Sequence, residues 1–309
     1  MAFLRDSESE VRAIALRKLA DFSSYIRAPC LIRDVLPALQ ELQRDEMTYV
    51  RTALAANMLA VCPIVGEDAT SQYVLPIFLT MLSDTDQEVR ISLFKRIADL
   101  NNVIPIESIH RQVIDSLNEL SRDAKWRTKL SVIEQFTALS KQLGQDFFNQ
   151  RLYSISTAWL SDKICTIREA AIEHYKQLSE AFGAVWAGEH AVPHFIALQS
   201  DKSYLKRQIT LLGVSALAPL VSPDTIRSQF LPALRALAQD KVPNIRMNTA
   251  KSLAILKTAL VNARLANPGH QHQYADIQES VTSLLSQLAT DTDADTKYFA
   301  LHPEATTSV

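Results

Sequence analysis

Glycine is scarce in this chain, with six residues in 309. So small a supply excludes Gly-rich phosphate-binding loops and disfavours a turn-rich β architecture. Cysteine is scarcer still: Cys30, Cys62 and Cys165 lie far apart and match no zinc spacing. An odd, sparse count suits a reducing compartment, so a cytoplasmic location, with the nucleus as a second, is the expectation. Charge is nearly balanced, at a formal −2, and no basic stripe with interleaved aromatics occurs, which argues against a nucleic-acid partner. No apolar run approaches the ~18 residues of a transmembrane helix, so neither a membrane span nor a membrane partner is expected. Met1 to Asp6 lack the apolar segment of a signal peptide.

Constellations that carry chemistry are missing too. His190 and His194 stand four apart with Glu189 adjacent, but Pro193 lies between them and no further ligand has metal spacing. No Cys, His and acid arrangement suggests a nucleophile, and helix cysteines usually serve as small inert hydrophobes. Asp293 with Asp295, and Glu8 with Glu10, sit in polar stretches, as charges favoured at helix starts. No catalytic residue, cofactor or metal is therefore expected.

What the chain does have is a period. Asp6, Asp45, Asp84, Asp123, Asp162, Asp201 and Asp240 succeed one another at 39 residues, and Asp291 follows at 51. Six residues after each stands a base: Arg12, Arg51, Arg90, Lys129, Arg168, Arg207, Arg246 and Lys297. A period near 40 without strand signals predicts an all-α fold, an α-α superhelix of stacked two-helix layers. In the second period Leu31, Val35, Leu36, Leu39 and Leu42 form the apolar stripe of a first helix, A. After a polar turn at Asp45, Val50, Leu54, Met58, Leu59 and Val61 form the stripe of a second helix, B. Pro37, Pro76, Pro193 and Pro232, each eight residues before a repeat aspartate, predict a kink in helix A. Gly66, Gly144 and Gly183, each 21 residues after one, predict left-handed caps at the end of helix B, with Pro105 in the same slot.

Residues six apart do not face each other on one helix, so Asp45 and Arg51 have no use for each other within a repeat. Stacking gives them one. The aspartate of one turn can reach the base of the neighbouring repeat, forming a ladder of exposed pairs worth ~0.2–1 kcal/mol each. The predicted layers are 1–27 (partial), 28–66, 67–105, 106–144, 145–183, 184–222, 223–261 and 274–302 (truncated), with 262–273 an inserted surface loop, in one solenoid over 1–309. The first layer has almost no helix A, so its flank should be apolar, and no polar capping repeat is evident. Trp159 and Trp186 are expected in the core.

The period and the D-x-x-x-x-[VI]-R turn resemble HEAT repeats. Longer segments are more specific. They are Asp123-Ala124-Lys125-Trp126-Arg127 with Ile133-Glu134, Ala158-Trp159-Leu160 with Ile167-Arg168-Glu169-Ala170-Ala171, Asn244-Ile245-Arg246-Met247-Asn248 with Ala250-Lys251-Ser252-Leu253, and Lys297-Tyr298-Phe299-Ala300. In order and spacing, from about residue 3 to 300, they resemble the last eight repeats of the scaffold (A) subunit family of type 2A serine/threonine protein phosphatase. The resemblance implies a noncatalytic scaffold whose intra-repeat turns and B-helix starts hold the phosphatase catalytic subunit. The positions that match are Trp126 and Arg127, Tyr204 and Arg207, Asn244, Arg246 and Asn248, and Asp295, Lys297 and Tyr298. It also implies that regulatory B-type subunits, which grip earlier repeats, bind weakly or not at all. Trp and Arg are favoured at binding hot spots, so Trp126 is read as a partner anchor, whereas Tyr204 could equally serve the core. Cys165 stands where the family usually carries an aromatic. A HEAT-repeat adaptor for another cargo, in nuclear transport or trafficking, would share the period and is the alternative reading.

Overall fold

The structure is a computed structural model that describes residues 2–97, 103, 110–122, 125–266 and 273–306. Pro105, Asp123, Ala124 and the 267–272 part of the insertion, with His270 and His272, lie outside the described residues. Regular structure is helical throughout, with no strand among the described residues. The B helices are α1 (Ser9–Arg17), α2 (Thr48–Asn57), α3 (Gln87–Phe94), α4 (Trp126–Phe147, broken at Gly144), α5 (Cys165–Phe182), α6 (Tyr204–Leu217) and α7 (Pro243–Ala266). The last layer pairs α8 (Ala275–Leu288) with α9 (Ala294–Leu301), about two turns long.

The chain divides into two compact units, Met1–Leu143 with Phe147–Ile155 and Gly144–Asp146 with Ser156–Val309. In the first, α1 packs on α2 and α2 on α3, around buried Leu16, Leu39, Val50, Leu54 and Phe78. In the second, α5 packs on α6, α6 on α7, and α7 on both α8 and α9. Tyr175, Trp186, Phe195, Phe230 and Leu253 are buried there. Each such side chain contributes ~1.5–3 kcal/mol, so apolar burial is the main source of stability. Trp159 and Trp186 are both in the core, as their apolar neighbours predict. The stretch 48–81 is long and apolar enough by composition to cross a membrane. It is no single rod, however: Gly66 breaks it, and Val50, Leu54, Leu59, Val74 and Phe78 are spent on the unit's own core.

Helix A is irregular in a repeating way. A π-helical turn occupies Leu31–Val35, Thr70–Val74, Phe148–Leu152, Ala187–Ala191 and Ile226–Phe230. In each, the N–H of the next residue, such as Leu36 or Val192, donates to the carbonyl five residues back. One residue later comes the proline slot. A widened turn displaces the carbonyl that a proline ring would strike and absorbs the missing N–H. The predicted kink is thus a π turn just before the proline. Proline is not its only cause, because Ser154 fills the slot after Phe148–Leu152 and the turn is still there.

The glycine slot also departs from expectation. Gly66, Gly144 and Gly183 have φ of 82–91° but ψ of 172–176°. That is an extended conformation nearly restricted to glycine, not the left-handed helical cap. Nothing lies within 4 Å of an added Cβ at any of the three, so backbone conformation, not space, selects the residue. Ser222 solves the same corner differently: its Oγ accepts the Thr225 N–H at 3.2 Å and caps the next helix.

The flanks differ from each other. In the first layer a single turn, Ala2–Arg5, stands in place of helix A. In the last, α8 buries one stripe, Ile277, Val281, Leu284, Leu285 and Leu288, and exposes Glu279, Thr282, Ser283, Ser286 and Gln287. That outer face is polar.

Candidate partner-binding surface

The surface is built on the turn between helices A and B, and the repeat aspartate builds the turn. Its Oδ1 accepts the N–H two residues on: Met47 on Asp45 at 3.0 Å, Asp86 on Asp84, Val242 on Asp240 and Asp293 on Asp291, each at 2.8 Å. Such a side-chain bond fixes a turn without help from neighbouring strands or helices.

The arginine of the preceding layer then closes on the same carboxylate with two parallel bonds. The distances are 2.8 and 3.1 Å for Arg12 on Asp45 and again for Arg51 on Asp84. They are 2.6 and 2.8 Å for Arg207 on Asp240, and 2.7 and 2.9 Å for Arg246 on Asp291. The remaining Nη1 donates to the carbonyl of the arginine's own repeat aspartate, at 2.8–2.9 Å in all four. This is the ladder that the six-residue spacing predicts, with one correction: the rungs are not exposed. The Arg207 and Asp240 side chains retain 7% and 8% of their accessibility. Two bonds in a fixed fork, away from bulk water, exceed the surface-pair range assumed from sequence. Burial pushes the Asp84 and Asp240 carboxyls up, but Arg51 or Arg207 and the turn amide together hold them below the ordinary value. Arg246 does the same for Asp291.

The rung of Arg168 on Asp201 is open. The position before the ladder base is apolar and fully buried at Val50, Val89, Ile167 and Ile245, but it is Lys206 in the sixth layer. Lys206 Nζ takes the Asp201 carboxylate at 3.1 Å. Arg168 keeps its bonds to the Asp162 and Lys163 carbonyls, at 2.9 and 3.1 Å, yet its buried Nε has no partner. Lys206→Val is expected to release Asp201 to Arg168, raising the urea midpoint and slowing amide exchange around Ile164–Arg168. Asp201→Ala should erase that gain; an unchanged exchange rate would mean that Lys206 is not what keeps the rung open.

The matched positions fall on the edge that these turns define. In the first unit Trp126 opens α4 half-buried, and the exposed Arg127 lays its guanidinium 4.5 Å from the indole centroid. The pair forms a preorganised cationic and aromatic knob. In the second unit Tyr204 opens α6 at 44% exposure, so its ring serves the surface more than the core. Asn244 is exposed, and Asn248 Nδ2 donates to its Oδ1 and carbonyl at 2.6 and 2.8 Å. Asp295, Lys297 and Tyr298 are exposed along α9, where the Tyr298 ring lies 4.8 Å from that of His302. Arg207 and Arg246 are the exceptions, because their donors are committed to the rungs.

Cys165, at the first residue of α5, is exposed rather than an inert buried hydrophobe. Its thiol donates to Glu169 Oε1 at 3.3 Å, and that bond, with some burial, raises its pKa and keeps it protonated. Burial, then the neighbouring His190, lowers the pKa of His194. Among the described residues no group of three or more His, Cys, Asp or Glu is arranged to hold a metal.

Comparison with known proteins adds to this geometry. Residues 1–66 match the family described as PPP2R1A-like HEAT repeat. Over 128 residues the chain is 34% identical to the regulatory (A) subunit of protein phosphatase PP2A from Saccharomyces cerevisiae, a match covering 40% of this chain and 19% of that protein. Over 293 residues it is 26% identical to serine/threonine-protein phosphatase 4 regulatory subunit 1 of Rattus norvegicus, covering 86% of this chain and 28% of that one. The chain therefore spans less than a third of the length of either relative. A crystal structure of Kap121p matches 98% of this chain and 36% of its own with a TM-score of 0.64 at 14% identity, a likeness of fold alone. Both sequence relatives are named as regulatory subunits, not catalytic ones. Repeat geometry and sequence likeness together make this chain a HEAT-repeat α-α solenoid that resembles the regulatory subunits of type 2A and type 4 serine/threonine phosphatases.

Proposed function

We propose that the chain is a noncatalytic scaffold for the catalytic subunit of a type 2A-class serine/threonine phosphatase, acting in the cytoplasm or nucleus. The observation that carries this reading is the Trp126–Arg127 knob at the start of a B helix, half-exposed and stacked before any partner arrives. Tyr204, Asn244, Asn248, Asp295, Lys297 and Tyr298 supply the contact edge of the second unit. Arg207 and Arg246 act behind it, holding the turns in register.

Capture of the phosphatase catalytic subunit from cell extract by the tagged chain, read by mass spectrometry, tests the proposal. Trp126→Ala with Arg127→Ala is expected to cost ~2 kcal/mol or more, a capture about thirty-fold weaker. Unchanged capture would move the site elsewhere. Cargo peptides captured without any phosphatase would replace the scaffold reading with that of a transport or trafficking adaptor.

A further inference from the structure

The turns of layers five to seven, interior to the chain, carry a row of charges that the ladder does not use. The position after the repeat aspartate is Lys163, Lys202 and Lys241 there, against Ser7, Glu46 and Thr85 in the first three layers and Thr292 in the last. All three lysines are exposed and belong to the second unit. None pairs with a carboxylate among the described residues, since Lys206 takes Asp201 at 3.1 Å and Arg207 takes Asp240 at 2.6 and 2.8 Å.

The ladder nonetheless holds their backbone. The Lys163 and Lys202 carbonyls accept Nη1 of Arg168 and Arg207 at 3.1 and 3.2 Å. The Val242 N–H, bonded to the Asp240 carboxylate at 2.8 Å, fixes the turn around Lys241. Three cations thus stand in register, one per layer.

Between the turns of layers six and seven lies an open hollow of about 640 Å³. Lys202 and Lys241 line it, one from each turn, with Arg207 and Asp240 between them. Gln199 and Ala236 come from the ends of the A helices, Val192–Ala197 and Leu231–Leu237. The Gln199 side-chain amide makes no hydrogen bond among the described residues, so it has both a donor and an acceptor to offer. Tyr204, Asn244 and Asn248 do not line the hollow, which therefore lies on the A-helix side of the turns, apart from the contact edge described above.

Charge and spacing decide what fits. Both aspartates of the hollow are committed to bases, so Lys202 and Lys241 are its uncompensated charges, and their complement is two anionic groups one layer apart. Packed helices stand ~8–10 Å apart. A polyproline II chain advances ~9 Å per turn of three residues, so it presents every third side chain to the same face at that distance. The row ends at layer eight, where Asp293 and Asp295 follow Asp291, so a long polyanion such as nucleic acid would meet repulsion there.

We propose that this row binds an acidic segment of a partner protein, about seven residues in polyproline II conformation. Carboxylates at every third residue face Lys163, Lys202 and Lys241, and the Gln199 amide pairs with the segment's backbone. The pairs are exposed, so binding is modest and weakens with salt.

Fluorescence anisotropy of a labelled peptide, Glu-Pro-Ala-Glu-Pro-Ala-Glu, with the whole chain tests it. Binding at low salt is expected, and Lys202→Glu with Lys241→Glu should weaken it ~10-fold or more. Helicity by circular dichroism should not change in that variant, because both side chains are exposed. Lys163→Ala should weaken binding ~2–5-fold. A peptide of the same composition with its glutamates adjacent should bind several-fold less tightly. Absence of binding at low salt would overturn the proposal, as would equal binding to the doubly reversed variant. Equal binding of the clustered peptide would overturn the one-per-layer register. Tighter binding of a short oligodeoxythymidine would replace the acidic segment with a nucleic acid.

Discussion

Arg207→Ala is expected to destabilise the second unit by about 3 kcal/mol, and Asp240→Ala by a similar amount. Each leaves the other member of a pair that is more than nine-tenths sequestered without its two bonds, at 2.6 and 2.8 Å. Arg207→Ala also strips a donor from the Asp201 carbonyl. The double variant should cost less than the sum of the singles, since it leaves no orphaned charge. Arg33→Ala, at a pair whose arginine side chain is 73% exposed, should show no measurable change and serves as the control. Urea midpoints and amide exchange along α6 and α7 would report it, and equal effects at Arg207 and Arg33 would refute a structural ladder.

The same rungs set an acid limit. The folded carboxyls of Asp84, Asp240 and Asp291 have depressed pKa values. A group depressed in the folded state contributes its full stabilisation above its unfolded pKa, ~3.9 for Asp. That contribution falls away as pH drops from there through the lower folded values. Asp240→Asn should flatten part of this acid slope while lowering stability near neutrality.

Trp186→Ala should cost about 3–5 kcal/mol. The indole sits at the joint after Gly183, 2% exposed, with Phe182 edge-on at 5.0 Å and His190 at 5.9 Å. Deleting it removes one of the two buried indoles among the described residues and opens a cavity between packed helices. Because stability in a stack is shared between neighbours, exchange should accelerate first in α5 and the helix after Gly183. A cost below about 1 kcal/mol would mean that the joint is already loose.

Much of this was legible in the residues themselves. The aspartate–base spacing predicts the ladder because six residues make no sense within one helix. The apolar stripe of the second period predicts α2, because side chains 3.6 residues apart share one helix face. Less legible was anything that depends on two layers at once. Burial of the rungs comes from the layers on either side, so charge alone suggested exposed pairs. The π turn was not legible from proline, since it recurs before Ser154 where no proline marks it. The glycine slot was readable as an exception to ordinary backbone, but its ψ was not, because both left-handed and extended corners call for the same residue. The competition of Lys206 with Arg168 for Asp201 needed coordinates to be seen. At the candidate site, membership of the ladder series already set Arg207 and Arg246 behind Trp126, and the bonds that commit their donors needed coordinates to be seen.

The seventh interval shows which lengths in this chain are free. Arg246 reaches Asp291 across 45 residues, where the other rungs span 33, and still makes both bonds. An extra dozen residues between a B helix and the next A helix therefore leave the joint intact. The six-residue step from Asp240 to Arg246 has no such latitude, because one arginine must touch its own turn's carbonyl and the next turn's carboxylate together. Lineages of such arrays can thus lengthen the outer loops, or duplicate and delete whole periods, while a one-residue indel inside a turn would uncouple two layers in a single event.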